Sequence, residues 1–179
     1  QQETATMTPV ERLATKADGK QRELVENQRG ITYYKLFGPY LAGAKKIVVE
    51  DAYVRKPYQL RNLAEFLEML LRCKNSDEDV AVHLVTGHNE PGFVEAQLNG
   101  LNELASTFSQ LGVNLTYEFR DTLHDRSITS DTGWEILPGR GLDIFQKFVD
   151  GDWLNPLLRH QQLRRVKECK ITYRRIDEK

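Results

Sequence analysis

Three stretches of the chain gather side chains able to grip or attack a phosphoryl group. In Leu123-His124-Asp125-Arg126 an imidazole lies two residues from a guanidinium. On a strand, residues two apart share a face, so His124 and Arg126 would project together with Asp125 opposite. A guanidinium binds phosphate oxygens as a bidentate fork, while an imidazole can hydrogen-bond to them or attack phosphorus. Arg140, between Gly139 and Gly141, adds a second guanidinium on backbone able to approach a ligand closely. In the third stretch Asp51, Tyr53 and Arg55 alternate at the outgoing end of an apolar run, and Gln59 and Asn62 follow within one helical turn of each other. Each set has a structural alternative. Asp125 or Asp143 can pair with Arg126 or Arg140 to pin a hairpin, and Asp51 with Asn62 can tie a helix to a strand.

Other chemistries lack their residues. No Gly-rich phosphate loop follows the first strand, no Gly-x-Ser-x-Gly elbow or His-Glu-x-x-His helix occurs, and four histidines and two cysteines are scattered. No metal site or cofactor is expected. Cys73 and Cys169 read as reduced thiols, His83 as a core histidine, His88 and His160 as solvent-facing, and Trp134 as a packing anchor.

The candidate residues need a scaffold, and the hydrophobic pattern supplies one of α/β type. Ile47, Val48 and Val49 form a buried strand leading into Asp51. Leu60, Leu63, Ala64, Phe66, Leu67, Leu70 and Leu71 recur at helical spacing. Residues 81–86 read as a second strand, 93–111 as a helix ended by Gly112, and 113–120 as a third strand, which together predict a largely parallel sheet flanked by helices. A helical segment over 33–42 ends at Gly43. The C-terminal third is β-rich: 123–128 and 133–137 flank a turn at 129–132, 142–148 form a short helix or turn, and Cys169 to Arg174 make a closing edge strand.

One domain over 31–179 is expected, preceded by a linker or weak helix over 1–30. The chain carries 25 basic and 26 acidic residues, yet residues 159–179 hold eight basic against three acidic. Such a tail is either a phosphate-facing stripe or an edge strand protected by charge. With no spanning run and no secretory leader, a cytoplasmic protein is expected, with peripheral membrane attachment left open. A sequence that begins at Gln1 reads as part of a longer protein.

The stretch from Ile47 to Arg55 with Gln59 and Asn62, then His124-Asp125-Arg126, Gly133-Trp134 and Gly139-Arg140-Gly141-Leu142-Asp143, is similar to the phospholipase-D-like domain at the C-terminus of MIT-domain-containing proteins, over about residues 33–175. The resemblance implies a phospholipase-D-like sandwich that dimerises and binds acidic phospholipids, beside an MIT domain engaging ESCRT-III tails. Similar domains end bacterial Lon-like AAA+ ATPases, so the missing N-terminal parent domain is an MIT domain or an ATPase. Active phospholipase-D-like members use His-x-Lys-x-x-x-x-Asp twice per site. Here His124, Arg126 and Asp131 keep the spacing once, with Arg in the Lys position, and Asp131 falls in the turn. The implied protein is a non-catalytic homodimeric module for anionic phosphate on lipid or nucleic acid, with His124, Arg126, Arg140, Arg55 and Tyr53 as ligand contacts and Asp51, Gln59, Asn62, Asp125 and Asp143 in support. The alternatives are a phosphodiesterase using His124 across a homodimer and an oligomerisation domain of an AAA+ ATPase.

Overall fold

The computed structural model describes residues 6–147 and 154–176. In chain order the elements are α1 (Pro9–Ala14), β1 (Arg22–Leu24), α2 (Tyr33–Leu41), β2 (Lys46–Glu50), α3 (Pro57–Cys73), β3 (Val80–Thr86), α4 (Val94–Ser109), β4 (Val113–Phe119), β5 (Ser127–Ser130), β6 (Trp134–Pro138) and β7 (Cys169–Arg175). Two short 3-10 turns, Pro156–Leu158 and Gln161–Leu163, precede β7.

The strands make a seven-stranded mixed sheet in the order β1-β7-β6-β5-β2-β3-β4. The pairs β2–β3 and β3–β4 are parallel, as crossovers through α3 and α4 require, and all pairs on the other side of β2 are antiparallel. The parallel expectation therefore holds for one half of the sheet, and the β-rich C-terminal third builds the other.

Register places Tyr173, Ile136, Ile128, Val49, Leu84 and Tyr117 in one cross-strand row facing the helix layer. Tyr40 of α2 stacks on Tyr173 with ring centroids 3.9 Å apart, and Trp134 meets Tyr40 edge-on at 5.0 Å, as a packing anchor. Behind them Tyr33, Phe37 and Phe66 form an aromatic cluster whose members are fully buried. The opposite face is open: Lys46, Val48, Ala81, Asn114, Thr116 and Glu118 are exposed. The parallel strands are thus half-buried, which corrects the reading of His83 as a core residue. Its ring lies on the open face, within 2.7 Å of the Thr116 hydroxyl and 3.1 Å of a Glu118 oxygen.

Two expectations about the chain ends are also corrected. Of the linker or weak helix expected over 1–30, the helix is present as α1, and the linker half is replaced by packed chain over 8–30. Thr8 caps α1 by accepting from the Glu11 N–H, Leu13 and Leu24 are buried, and β1 pairs with β7. The strand β7 is consequently not an edge. Half of its basic neighbourhood is spent on internal pairs: Arg164 meets Glu65 at 2.8 Å, Lys167 meets Asp143 at 3.1 Å, Lys170 meets Glu23 at 3.9 Å and Arg174 meets Glu135 at 2.9 Å. Four of the tail's eight basic side chains are thus paired with acids of the body, which weakens the reading of it as a phosphate stripe.

Candidate functional site

Three clefts meet at Tyr53, and each pair of them shares at least one further side chain. A cleft of about 660 Å³ is lined by Tyr53, His124, Asp125, Arg126, Arg140, Glu168 and Lys170, among others. One of about 340 Å³ holds Tyr53, Arg55, Lys56, Gln59, Arg126 and Asp143. The third, of about 410 Å³, holds Tyr53, Arg55, His88, Asp121 and His124. His124 thus separates the first and third, Arg126 the first and second, and Arg55 with Asn89 the second and third. Tyr53 is 46% exposed, with the Arg55 guanidinium 4.6 Å and the Arg126 guanidinium 5.0 Å from its ring centroid. At those distances the ring orients both cations without neutralising them.

Position follows from strand ends. Asp51 leaves β2 at its carboxyl end, where its N–H still donates to Val85 O at 3.0 Å, so Tyr53 and Arg55 emerge where open α/β sheets place ligands. Pro57 opens α3, and Gln59 in its first turn accepts from the Arg55 and Lys56 N–H groups at 3.0 Å each. Gln59 is therefore a helix-start cap behind the Arg55 backbone.

Asp51 is the bolt of the site. Nearly fully buried, it accepts from the Tyr53 N–H at 3.0 Å and the Leu142 N–H at 3.2 Å, and its Oδ1 lies 3.7 Å from Arg126 Nε. Burial raises its pKa, and the bonds from the Tyr53 N–H and the Arg126 charge pull it back down. The Leu142 carbonyl accepts from the Tyr33 hydroxyl, so the 139–143 segment is gripped from both sides. Gly141 makes this possible. Its φ is +61°, and a β-carbon there would overlap Asp51 Oδ2 and come within 3.1 Å of Arg126 Cδ.

The structure brings His124, Arg126, Arg140 and Tyr53 to one cleft, but not by the expected geometry. His124 and Arg126 lie in the irregular segment before β5 and share no strand face, because the hairpin turn falls at 131–133 and moves the strand to Ser127–Ser130. Asp131 in that turn accepts from the Lys45 N–H at 3.0 Å, before β2 begins, while the cleft lies after β2 ends. The five residues of β2 separate them by roughly 17 Å. Neither expected pairing of Asp125 or Asp143 occurs: Arg126 is held by Asp51, Asp143 by Lys167, and Asp125 is exposed in the cleft. Arg140 is exposed and donates through Nε to Glu168 O at 2.9 Å, which leaves its terminal nitrogens for a ligand. Asn62 is buried on α3, lines none of the three clefts and forms no hydrogen bond with Asp51, correcting its place in the supporting network. A turn ends at Leu142, residues 143–147 then run irregular with Phe145 bridged to Val166, and Phe148 lies outside the described residues.

Several contributors carry no motif. Gln97, 1% exposed, donates to Val54 O at 3.0 Å and Gly87 O at 2.9 Å and accepts from the Asn89 N–H at 2.8 Å, tying two site loops to α4. A polar residue four positions before Leu101 on an apolar stripe was the available signal. Thr86, fully buried, accepts from the Val54 N–H at 3.1 Å. His88 and Asp121 meet at 3.0 Å, a contact between residues 33 apart that no local pattern announces.

Among the described residues, no group of three or more His, Cys, Asp or Glu side chains is arranged to hold a metal ion, and no helix is long and apolar enough to cross a membrane. Comparison with known proteins identifies relatives. A family model described as the phospholipase D-like domain at the C-terminus of MIT matches residues 30–175. The chain is similar to MIT domain-containing protein 1 of Mus musculus, at 37% identity over 138 residues that cover 74% of this chain and 54% of that protein. It therefore spans about half the length of this curated relative.

Proposed function

This chain belongs to the phospholipase-D-like domains found at the C-terminus of MIT proteins, and from that premise we propose that it is a non-catalytic binding and targeting module for anionic phosphate groups. The observation that carries the proposal is the convergence of His124, Arg126, Arg140 and Tyr53 on one open cleft of about 660 Å³. Arg126 is oriented by a buried carboxylate and an aromatic ring, and Arg140 presents free donors, so two guanidiniums stand ready for phosphate oxygens without further ordering. The acids Asp125 and Glu168 on the same walls keep the cleft from being a plain cationic sink and favour a ligand that positions its charge.

Binding rather than turnover is favoured by Asp131, which sits at the opposite end of β2 and so cannot complete a His-x-Lys-x-x-x-x-Asp set with His124. The module acts as a homodimer, as the C-terminal part of a larger protein whose other half lies outside this chain. Acidic membrane lipid and nucleic acid are its two phosphate sources.

The test is titration with inorganic phosphate, followed by vesicle flotation and a gel shift. Arg126→Ala with Arg140→Ala should weaken phosphate binding at least about tenfold. Flotation that rises with anionic head-group content assigns lipid, and a gel shift lost steeply with salt assigns nucleic acid. Equal phosphate binding by wild type and double variant overturns the proposal.

A further inference from the structure

The cleft on the far side of His124 contains an imidazole held in one orientation by its surroundings. It opens where the chain leaves the carboxyl ends of three parallel strands, with Ala52 after β2, His88 after β3 and Asp121 after β4. Three contacts fix His88. Its N–H donates to Asp121 Oδ1 at 2.8 Å, its Nδ1 lies 3.0 Å from Asp121 Oδ2, and its ring stacks on Phe119 with centroids 4.1 Å apart and planes 19° apart. A carboxylate only accepts, so the hydrogen sits on Nδ1, and among the described residues no hydrogen bond engages Nε2. Toward an anion such a ring has two states. Neutral, it presents the Nε2 lone pair and repels; protonated, it presents an N–H and binds. Arg55 adds a permanent cation to the same cleft, its Nη1 donating to the His88 carbonyl at 3.1 Å.

We infer that this cleft is a second phosphoryl subsite, sharing Tyr53 and His124 with the first, and that it fills only when His88 is protonated. The inference rests on the phosphate-binding reading of the neighbouring cleft and adds to it a ligand group and a pH requirement. The charged and titratable groups around His88 act in both directions. Asp121, after β4, favours the imidazolium; Arg55, after β2, and a charged His124, in the segment before β5, oppose it; Tyr53 is the other titratable side chain on the cleft wall. His124 is a second imidazole on the wall of the same cleft, so the test must separate the two rings.

Inorganic phosphate is titrated into the folded chain at pH 5.5 and pH 8, with the imidazole resonances followed by NMR and the stoichiometry by calorimetry. Two phosphates per chain are expected at the lower pH and one at the higher, with the His88 ring shifting only at the lower. His88→Gln, whose amide cannot gain a proton, should bind one phosphate at both values. Asp121→Asn should move the appearance of the second site to lower pH. Vesicles with and without a phosphomonoester head group, floated at both values, assign the second phosphoryl to lipid or to a free ligand. One phosphate at both values in the wild type overturns the inference, as does a second site that persists in His88→Gln. Loss of only the pH 8 site in Arg126→Ala with Arg140→Ala supports two separate subsites. A wild type that binds only at pH 5.5, through His88, supports this inference while removing the reading of the first cleft.

Discussion

The two halves of the sheet, which meet at β2, supply the site by different means. On the parallel side each contributor leaves the carboxyl end of a strand: Tyr53 and Arg55 after β2, His88 after β3, Asp121 after β4. Ladder bonds and Gln97, a single buried amide, hold those loops in place. On the antiparallel side His124, Arg126 and Arg140 sit on irregular segments flanking β5 and β6, and what fixes them is long-range: Asp51 to Leu142 and Arg126, and Tyr33 to Leu142. A strand end positions a residue through its own backbone, whereas an irregular segment needs a partner brought from elsewhere in the chain. The antiparallel side should therefore be the more easily disarmed by one substitution.

Gly141→Ala should have the largest effect. It combines a left-handed backbone with overlap at Asp51, and a loss of about 2–4 kcal/mol is expected in urea denaturation. Hydrogen exchange should quicken at 139–143 while β3 and β4 stay protected; equal loosening of both halves would show that the sides are not separable. Asp51→Ala and Gln97→Ala form the next pair. Each leaves buried backbone groups unpaired, at about 1–3 kcal/mol apiece. Phosphate binding through Arg126 should fall in the first variant and persist in the second at pH 8.

The carboxylates of the two sides should respond to pH with opposite signs. Burial raises the folded pKa of Asp51, so the folded state holds its proton to higher pH and this group adds stability as pH falls between its ordinary and raised values. Asp121 is held low, first by the bond from the His88 N–H and then by the ring, so its contribution is present above the ordinary value and is lost as pH falls through the folded one. Stability profiles of Asp51→Asn and Asp121→Asn between pH 3 and 7 should depart from wild type in opposite directions. Parallel profiles would remove the contrast.

Arg140→Ala should be the mildest. The side chain is exposed with one bond to Glu168 O, so stability should stay within about 0.5 kcal/mol while phosphate affinity at pH 8 drops. A thiol control belongs beside it. Burial pushes Cys73 up to about 12, so it should resist alkylation in every variant that stays folded.

Much of the scaffold is legible in the sequence. Strands β2 to β4 and helices α3 and α4 follow from runs and stripes of apolar residues, and Gly43 and Gly112 stop segments where φ is positive, at +75° and +82°. The cationic cleft was readable as residue types in short motifs, since Arg between glycines and His near Arg are local facts. The hairpin register was misplaced because polar and apolar residues from 123 to 137 suit two neighbouring alignments, and the Asp131 bond to Lys45 selects one. The exposure of His83 is not legible, because an apolar run does not reveal which sheet face is covered.

From the sequence alone came the element types, the α/β class, the family resemblance and the residue types of the candidate cleft, because periodicity and short spacings are properties of neighbouring residues. Only the tertiary structure decided that Asp51 pairs with Arg126, that Asp121 orients His88, that β1 covers β7 and that three clefts meet at Tyr53. Each of these joins residues from separate segments of the chain, and no pattern confined to one segment carries that pairing.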